Sequence, residues 1–201
     1  MSSNMELEML GALALYSFAT SATPGPNNLM LASSGLTFGF RRTVSSLLGI
    51  EFGFIAMILL VAAGLGSVLI AVPALHWVLK VFGAGYLLWL AYQLWRAGEM
   101  REREHARPIG FWRGALFQAV NPKAWMIVVG ALGAFASPGP QFWAGVLLVA
   151  GAFVLIGLPC LGAWALFGAS IRRFLKTPGA LVAFNRVMAG LTALTAALIL
   201  A

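Results

Sequence analysis

Charge is what this chain has least of. Lys, Arg, Asp and Glu together make up 9% of its 201 residues, against about 25% in a soluble domain, which excludes an ordinary water-soluble fold. Aspartate is absent. Of the glutamates, Glu6, Glu8, Glu99, Glu102 and Glu104 sit near the N-terminus or in one polar stretch, which leaves Glu51 as the acid inside an apolar run. Cysteine occurs once, as Cys160 among apolar neighbours, so an intrachain disulfide is excluded and the residue reads as a small packed core side chain. The histidines, His76 and His105, are far apart, and no set of side chains has metal-ligand spacing. The sequence therefore calls for no metal, no cofactor and no catalytic residue. Residues 1–8 carry Glu6 and Glu8 and no basic residue, the wrong charge for the start of a signal peptide.

What is there in abundance is apolar chain. Hydrophobic residues make up 61% and the mean hydropathy is +0.90, which marks an all-α integral membrane protein. A hydrocarbon core of about 30 Å takes roughly 20 helical residues, so the length accommodates about six spans with short loops and no soluble domain. The expected spans are residues 9–36, 44–71, 75–95, 111–135, 142–169 and 182–201. Trp89, Tyr92, Trp95 and Arg96 close the third in an interfacial belt. The polar stretch 97–108 follows it, and Ser137-Pro138-Gly139-Pro140 reads as a turn between the fourth and fifth.

The net charge of +7 points to membrane orientation rather than to nucleic acid. Arg41 and Arg42 follow span 1; Arg96, Arg101, Arg103, Arg107 and Arg113 lie between or beside spans 3 and 4; Arg172, Arg173 and Lys176 follow span 5. The loops after spans 2 and 4 carry no Lys or Arg. Alternate loops are basic, and basic loops are cytoplasmic, which puts both termini outside. Were the first half of span 1 not to cross, the count would be five and the N-terminus inside.

Two spans are interrupted. Thr23-Pro24-Gly25-Pro26-Asn27-Asn28 breaks the first and Asn121-Pro122-Lys123 the fourth. Proline removes a helical N–H and leaves carbonyls without partners; in lipid such a break survives only where protein or a watery cavity covers it. Placing Pro24 on Pro122 also places Gly35 on Gly133 and Phe18-Ala19 on Leu116-Phe117, and Lys80-Val81-Phe82-Gly83-Ala84 then matches Arg186-Val187-Met188-Ala189-Gly190 after a short insertion. Three spans per half make the second half inverted. Interrupted spans at corresponding positions of two inverted halves point to a secondary transporter and to its binding site. The halves run from about 9 to 96 and from about 111 to 201, joined by a cytoplasmic loop of about 97–110 within a single domain.

The chemistry follows from the breaks. Half-helix N-termini offer free N–H groups to a carboxylate, and freed carbonyls at half-helix C-termini accept from an ammonium. Asn27, Asn28 and Asn121 both donate and accept. An ionised group at bilayer depth costs about 2.5–3.5 kcal/mol or more, so Glu51 is a candidate for coupling proton entry to substrate exit, against the alternatives of a static ion pair with Lys123 or a solvated position near the interface. Lys123 can pair with Glu51, hold a carboxylate or snorkel to the interface; Lys80 reads as a snorkelling residue. Gly49 and Gly53 bracket Glu51 in a GxxxG spacing, repeated at Gly35 and Gly39; this predicts close helix packing beside Glu51 and leaves a homodimer open. The Trp and Phe residues read as lipid contacts and belts, not as an aromatic binding box.

The segment Ala22-Thr23-Pro24-Gly25-Pro26-Asn27-Asn28, followed by Gly39-Phe40-Arg41-Arg42 and Leu48-Gly49-Ile50, resembles the first half of the LysE/RhtB family of amino-acid exporters. Ile109-Gly110-Phe111-Trp112-Arg113-Gly114 and Asn121-Pro122-Lys123-Ala124 resemble that family's second half, and the resemblance spans essentially the whole chain. It implies export of amino acids or derivatives across the bacterial inner membrane, driven by protons. The N-terminal half looks closest to exporters of cysteine and O-acetylserine, or of homoserine and threonine, and less like the lysine/arginine branch. Members often carry an acid in span 2 a few residues after the Gly-Ile pair. Here Phe52 and Phe54 occupy that neighbourhood and the acid is Glu51, about one helical turn away on a similar face.

The expectation is a multi-pass exporter in which Thr23, Pro24, Gly25, Pro26, Asn27, Asn28, Asn121, Pro122 and Lys123 line the substrate site and Glu51 carries the proton. Its partners are an amino-acid substrate, protons and the bilayer. A passive channel or structural subunit is one alternative class, a membrane enzyme the other; the absence of a Ser/His pairing or acid–histidine cluster in the spans speaks against the enzyme.

Overall fold

The computed structural model describes residues 3–66, 73–97, 108–171 and 178–200. Glu99, Glu102, Glu104, His105, Arg101, Arg103, Arg107, Arg172, Arg173 and Lys176 lie outside the described residues, as do the side chains of His76 and Lys80. The described elements are all helical: α1 Ser3–Ala22, α2 Pro26–Phe38, α3 Phe40–Leu65, α4 Pro73–Ala97, α5 Phe111–Val120, α6 Pro122–Phe135, α7 Phe142–Ile171 and α8 Pro178–Leu200.

Both expected interruptions are present, and each has a local cause. Helix α1 stops at Ala22 because Thr23 precedes a proline, which disfavours the helical region. Gly25 is fully extended, and Pro26 opens α2 at a first-turn position where its missing N–H costs nothing. The break is thus narrower than the motif: Pro26, Asn27 and Asn28 belong to the first turn of α2. In the second half, a 3₁₀ turn over Gln118–Val120 ends α5, Asn121 is extended, and Pro122 opens α6. The two pieces are bent by 71°. Pro159 inside α7 does not break that helix; the π-turn Phe153–Gly157 just before it absorbs the lost hydrogen bond.

By length and composition α3 (26 residues, mean hydropathy 2.3) and α7 (30 residues, 2.4) are long and apolar enough to cross a membrane, and the bent pair α5–α6 makes a third span if counted as one. The other expected spans coincide with α1–α2, α4 and α8.

Small residues set the helix contacts. A Cβ on Gly35 would run into the Ala165 carbonyl of α7, and one on Gly168 into that of Ala32 of α2. Likewise Gly49 and Gly53 of α3 lie against the Phe111 and Ala115 carbonyls of α5. The spacing around Glu51 is therefore a helix–helix contact within this chain. The Gly35–Gly39 spacing is not a second one: Gly39, with φ 81°, turns α2 into α3 and has open space around it. Helix α4 packs along α8, and its Gly83 faces Pro122 at the second break.

Polar side chains are buried within an apolar core, and the exterior is apolar as well. Ser17, Asn28, Thr43, Ser46, Glu51, Gln118 and Asn121 are buried, whereas Phe18, Phe82, Trp112, Leu116, Leu147 and Leu155 face outward. An apolar exterior suits lipid, where buried polar groups pair with one another across helices. Cys160 is half-buried rather than packed in the core, because it stands on the less covered side of α7.

Candidate functional site

The two breaks meet. Asn27, on the first turn of α2, and Gln118, on the last turn of α5, exchange a pair of amide bonds: Asn27 Nδ2 donates to Gln118 Oε1 at 3.0 Å, and Gln118 Nε2 donates to Asn27 Oδ1 at 3.1 Å. Asn121 Nδ2 donates to Asn27 Oδ1 at 3.2 Å and to Gln118 Oε1 at 3.4 Å. Gln118 Nε2 also reaches the Gly114 carbonyl at 3.2 Å. Three amides thus tie together breaks that are more than ninety residues apart in sequence.

The carbonyls freed at the end of α1 are all taken by this chain. Asn28 Nδ2 donates to Ser21 O and Thr23 O, each at 2.8 Å. Trp164 Nε1 donates to Ala22 O at 3.2 Å. Lys123 Nζ crosses from α6 to donate to Thr23 O at 2.9 Å, Thr23 Oγ1 at 3.0 Å and Pro24 O at 3.2 Å. A cation there also meets the negative end of the α1 dipole. At the second break Trp125 Nε1 donates to Ala119 O at 2.9 Å. Two expectations are corrected by this arrangement. Lys123 turns to the first break instead of pairing with Glu51, since the Pro24 carbonyl and the Thr23 hydroxyl oxygen otherwise accept no hydrogen bond there. The freed carbonyls are likewise not open to a substrate ammonium, because Lys123, Asn28 and two tryptophans hold them.

A cavity of about 40 Å³ lies beside the joined breaks, room for a few water molecules. Of the sequence-expected residues, Gly25, Pro26, Asn27, Asn28, Asn121, Lys123 and Glu51 line it; Thr23, Pro24 and Pro122 do not, and act through the backbone and through Lys123. Glu51 is 8% exposed and its Oε1 has no hydrogen-bond partner; Asn121 is 1% exposed and its Oδ1 has none either. Both residues line the cavity, while these two oxygens are shielded from it. The rest of the lining is largely apolar and includes Phe54 and Phe153, whose ring centroids are 4.8 Å apart. Contrary to the reading of the aromatics as lipid contacts alone, these two rings wall the cavity and Trp125 and Trp164 cap its helix ends.

Gln118 was not singled out in the sequence, yet it is 1% exposed and central to the amide cluster. Its signal is modest: an amide one turn before Asn121 in a helix whose other polar side chain is Arg113. Thr20 and Ser21, at the end of α1, also line the cavity. Among the described residues no group of His, Cys or acidic side chains is placed to hold a metal ion.

A family model described as LysE type translocator matches residues 18–201. The chain belongs to that family. Proteins named cysteine/O-acetylserine efflux protein from Salmonella typhi, Salmonella typhimurium (strain LT2) and Escherichia coli (strain K12) are each 33% identical to it over 171 residues, covering 85% of this chain and 88% of the relative. No solved structure matches. This LysE-type chain is accordingly a membrane protein of a translocator family, and its relatives bear the names of efflux proteins rather than of enzymes.

Proposed function

We propose that this LysE-type protein is a secondary transporter that exports a small amino acid or close derivative across the bacterial inner membrane in exchange for protons. The observation that carries the reading is the convergence of the two helix breaks on a cavity that holds a buried carboxyl, Glu51. Relatives at 33% identity are named for cysteine and O-acetylserine efflux, which supports a small substrate of that class.

In this reading the substrate lies between Gly25–Asn28 and Asn121–Lys123. The first turns of α2 and α6 present backbone N–H groups and a partial positive charge to its carboxylate. Glu51 takes a proton from the outside and releases it to the cytoplasm. The six spans form two inverted halves, about 9–96 and 111–201, with the basic loops cytoplasmic, and rocking of one half against the other alternates access. The three-amide cluster is one contact between the halves that such a motion must rearrange, together with the packing of α2 on α7, α3 on α5 and α4 on α8.

The test is efflux from cells preloaded with a panel of amino acids, with and without a protonophore. The reading expects saturable efflux of at least one small neutral amino acid, slowed by the protonophore. Efflux of none of them contradicts it.

A further inference from the structure

We propose that Lys123 is a latch between the two helix breaks, which holds the cavity in the contracted form seen here and lets go when the cavity opens to one side. This rests on the reading of the cavity as a transport site. It adds that the two access states are unequal, because the latch exists at one break and has no counterpart at the other.

The cavity has room for a few water molecules but not for an amino acid, so passage of one requires it to widen. Lys123 opposes that widening. Its side chain starts at the second break, lines the cavity and lies against Gly25, where an added Cβ would come within 2.8 Å of Lys123 Cδ and 2.9 Å of Nζ. The ammonium ends beyond the cavity lining, on Thr23 O at 2.9 Å, Thr23 Oγ1 at 3.0 Å and Pro24 O at 3.2 Å. These charge-assisted bonds are roughly twice as strong as neutral ones. Thr23 and Pro24 are nevertheless exposed, unlike the buried Gln118 and Asn121 of the amide cluster. An ammonium released at that edge is not left buried without partners, so the contact is both strong and breakable.

The latch has no mirror image. The match that sets Pro24 on Pro122 also sets Ser21 on Ala119 and Gly25 on Lys123. One feature of the breaks is kept across it: Ser21 O accepts from Asn28 Nδ2, and Ala119 O accepts from Trp125 Nε1. The lysine is not kept. Glycine stands in its place in the first half, so the first break has no cation to send back to the second by the same route. Where inverted halves exchange conformations between access states, a contact made by one break and not by its counterpart stabilises one state over the other. Removing it shifts the balance toward the state in which the cavity is open. A static helix cap differs in its consequence: its loss lowers stability without changing access to the cavity.

The experiment uses the full chain in right-side-out and inside-out membrane vesicles, carrying Cys160→Ala and, on the cavity wall, Ser21→Cys. A charged, membrane-impermeant thiol reagent then reads access to position 21 from each face. Lys123→Met removes the donors, whereas Gly25→Ala keeps the lysine and displaces it from its seat. Both are expected to raise the modification rate about tenfold from one face, the shift that follows loss of charge-assisted hydrogen bonds made in one state alone. The rate from the other face should stay the same or fall. Gly133→Ala, which meets nothing within 4 Å, should change neither rate. Unchanged rates in both variants, or an equal rise from both faces, overturn the latch. Where Lys123→Met fails to fold, Gly25→Ala carries the test. No substrate is present during labelling. A wild type that exports no amino acid overturns the transport reading, while the labelling still judges the latch.

Discussion

Lys123 commits its ammonium to one turn of unwound chain. Its three contacts at Thr23 and Pro24 close the end of α1, and its stem fills the space over Gly25, where an added Cβ would come within 2.8 Å of Lys123 Cδ. Replacing Lys123 by Met keeps the stem and removes the donors. The expected loss is about 1.5–3 kcal/mol, typical of hydrogen bonds to a charged group, read as a lower melting temperature in detergent. Gly25→Ala should give part of the same loss by displacing the lysine. At Glu51 the expectation concerns function: Glu51→Gln keeps the shape and hydrogen-bonding capacity of the side chain but cannot lose a proton. Transport by that variant should no longer respond to a pH gradient, while exchange of substrate for substrate continues at a reduced rate. Gradient-stimulated transport by Glu51→Gln, measured in vesicles, would remove Glu51 from the coupling step.

At the scale of elements, two helix crossings are set by glycine. Gly168 of α7 and Gly49 of α3 lie directly on backbone carbonyls of α2 and α5. Gly168→Val or Gly49→Val must push those helices apart, at a cost of about 1–3 kcal/mol or more, whereas Gly133→Ala on α6 meets nothing within 4 Å and should raise helix stability slightly. Thermal stability in detergent checks the contrast. The element scale is also where the sequence was most readable. Pro24, Pro26 and Pro122 announce both breaks because proline acts on its own neighbours in the chain. The Gly49–Gly53 spacing announced a close contact, though not that α5 would supply it. What stayed hidden were partners brought together only by folding. Nothing local ties Gln118 to Asn27, Lys123 to Thr23 or Trp164 to Ala22. A tryptophan that caps a helix end has the same sequence appearance as one that faces lipid. Gly35 and Gly39 show the converse: one spacing, two unrelated roles, a close packing contact and a turn at φ 81°.

For the whole molecule, an apolar exterior around a polar seam suits lipid, and the distribution of arginine predicts the orientation. Cysteines introduced beside Arg41 and beside Ser137, in a Cys160→Ala background, should label from opposite sides of the membrane, the first from the cytoplasm and the second from outside. Labelling of both from one side would contradict the alternating topology. The amide cluster joins the halves at the seam, so an exporter built this way needs both breaks intact to work. The most direct test is flux through the purified protein in proteoliposomes under an imposed pH gradient, comparing the wild type with Asn27→Leu and Asn121→Leu. Saturable, gradient-stimulated flux of a small amino acid in the wild type, falling at least about tenfold in each variant, is the predicted result. Flux that does not saturate, or that survives unchanged when either break loses its asparagine, would contradict the claim that the joined breaks form the transport site.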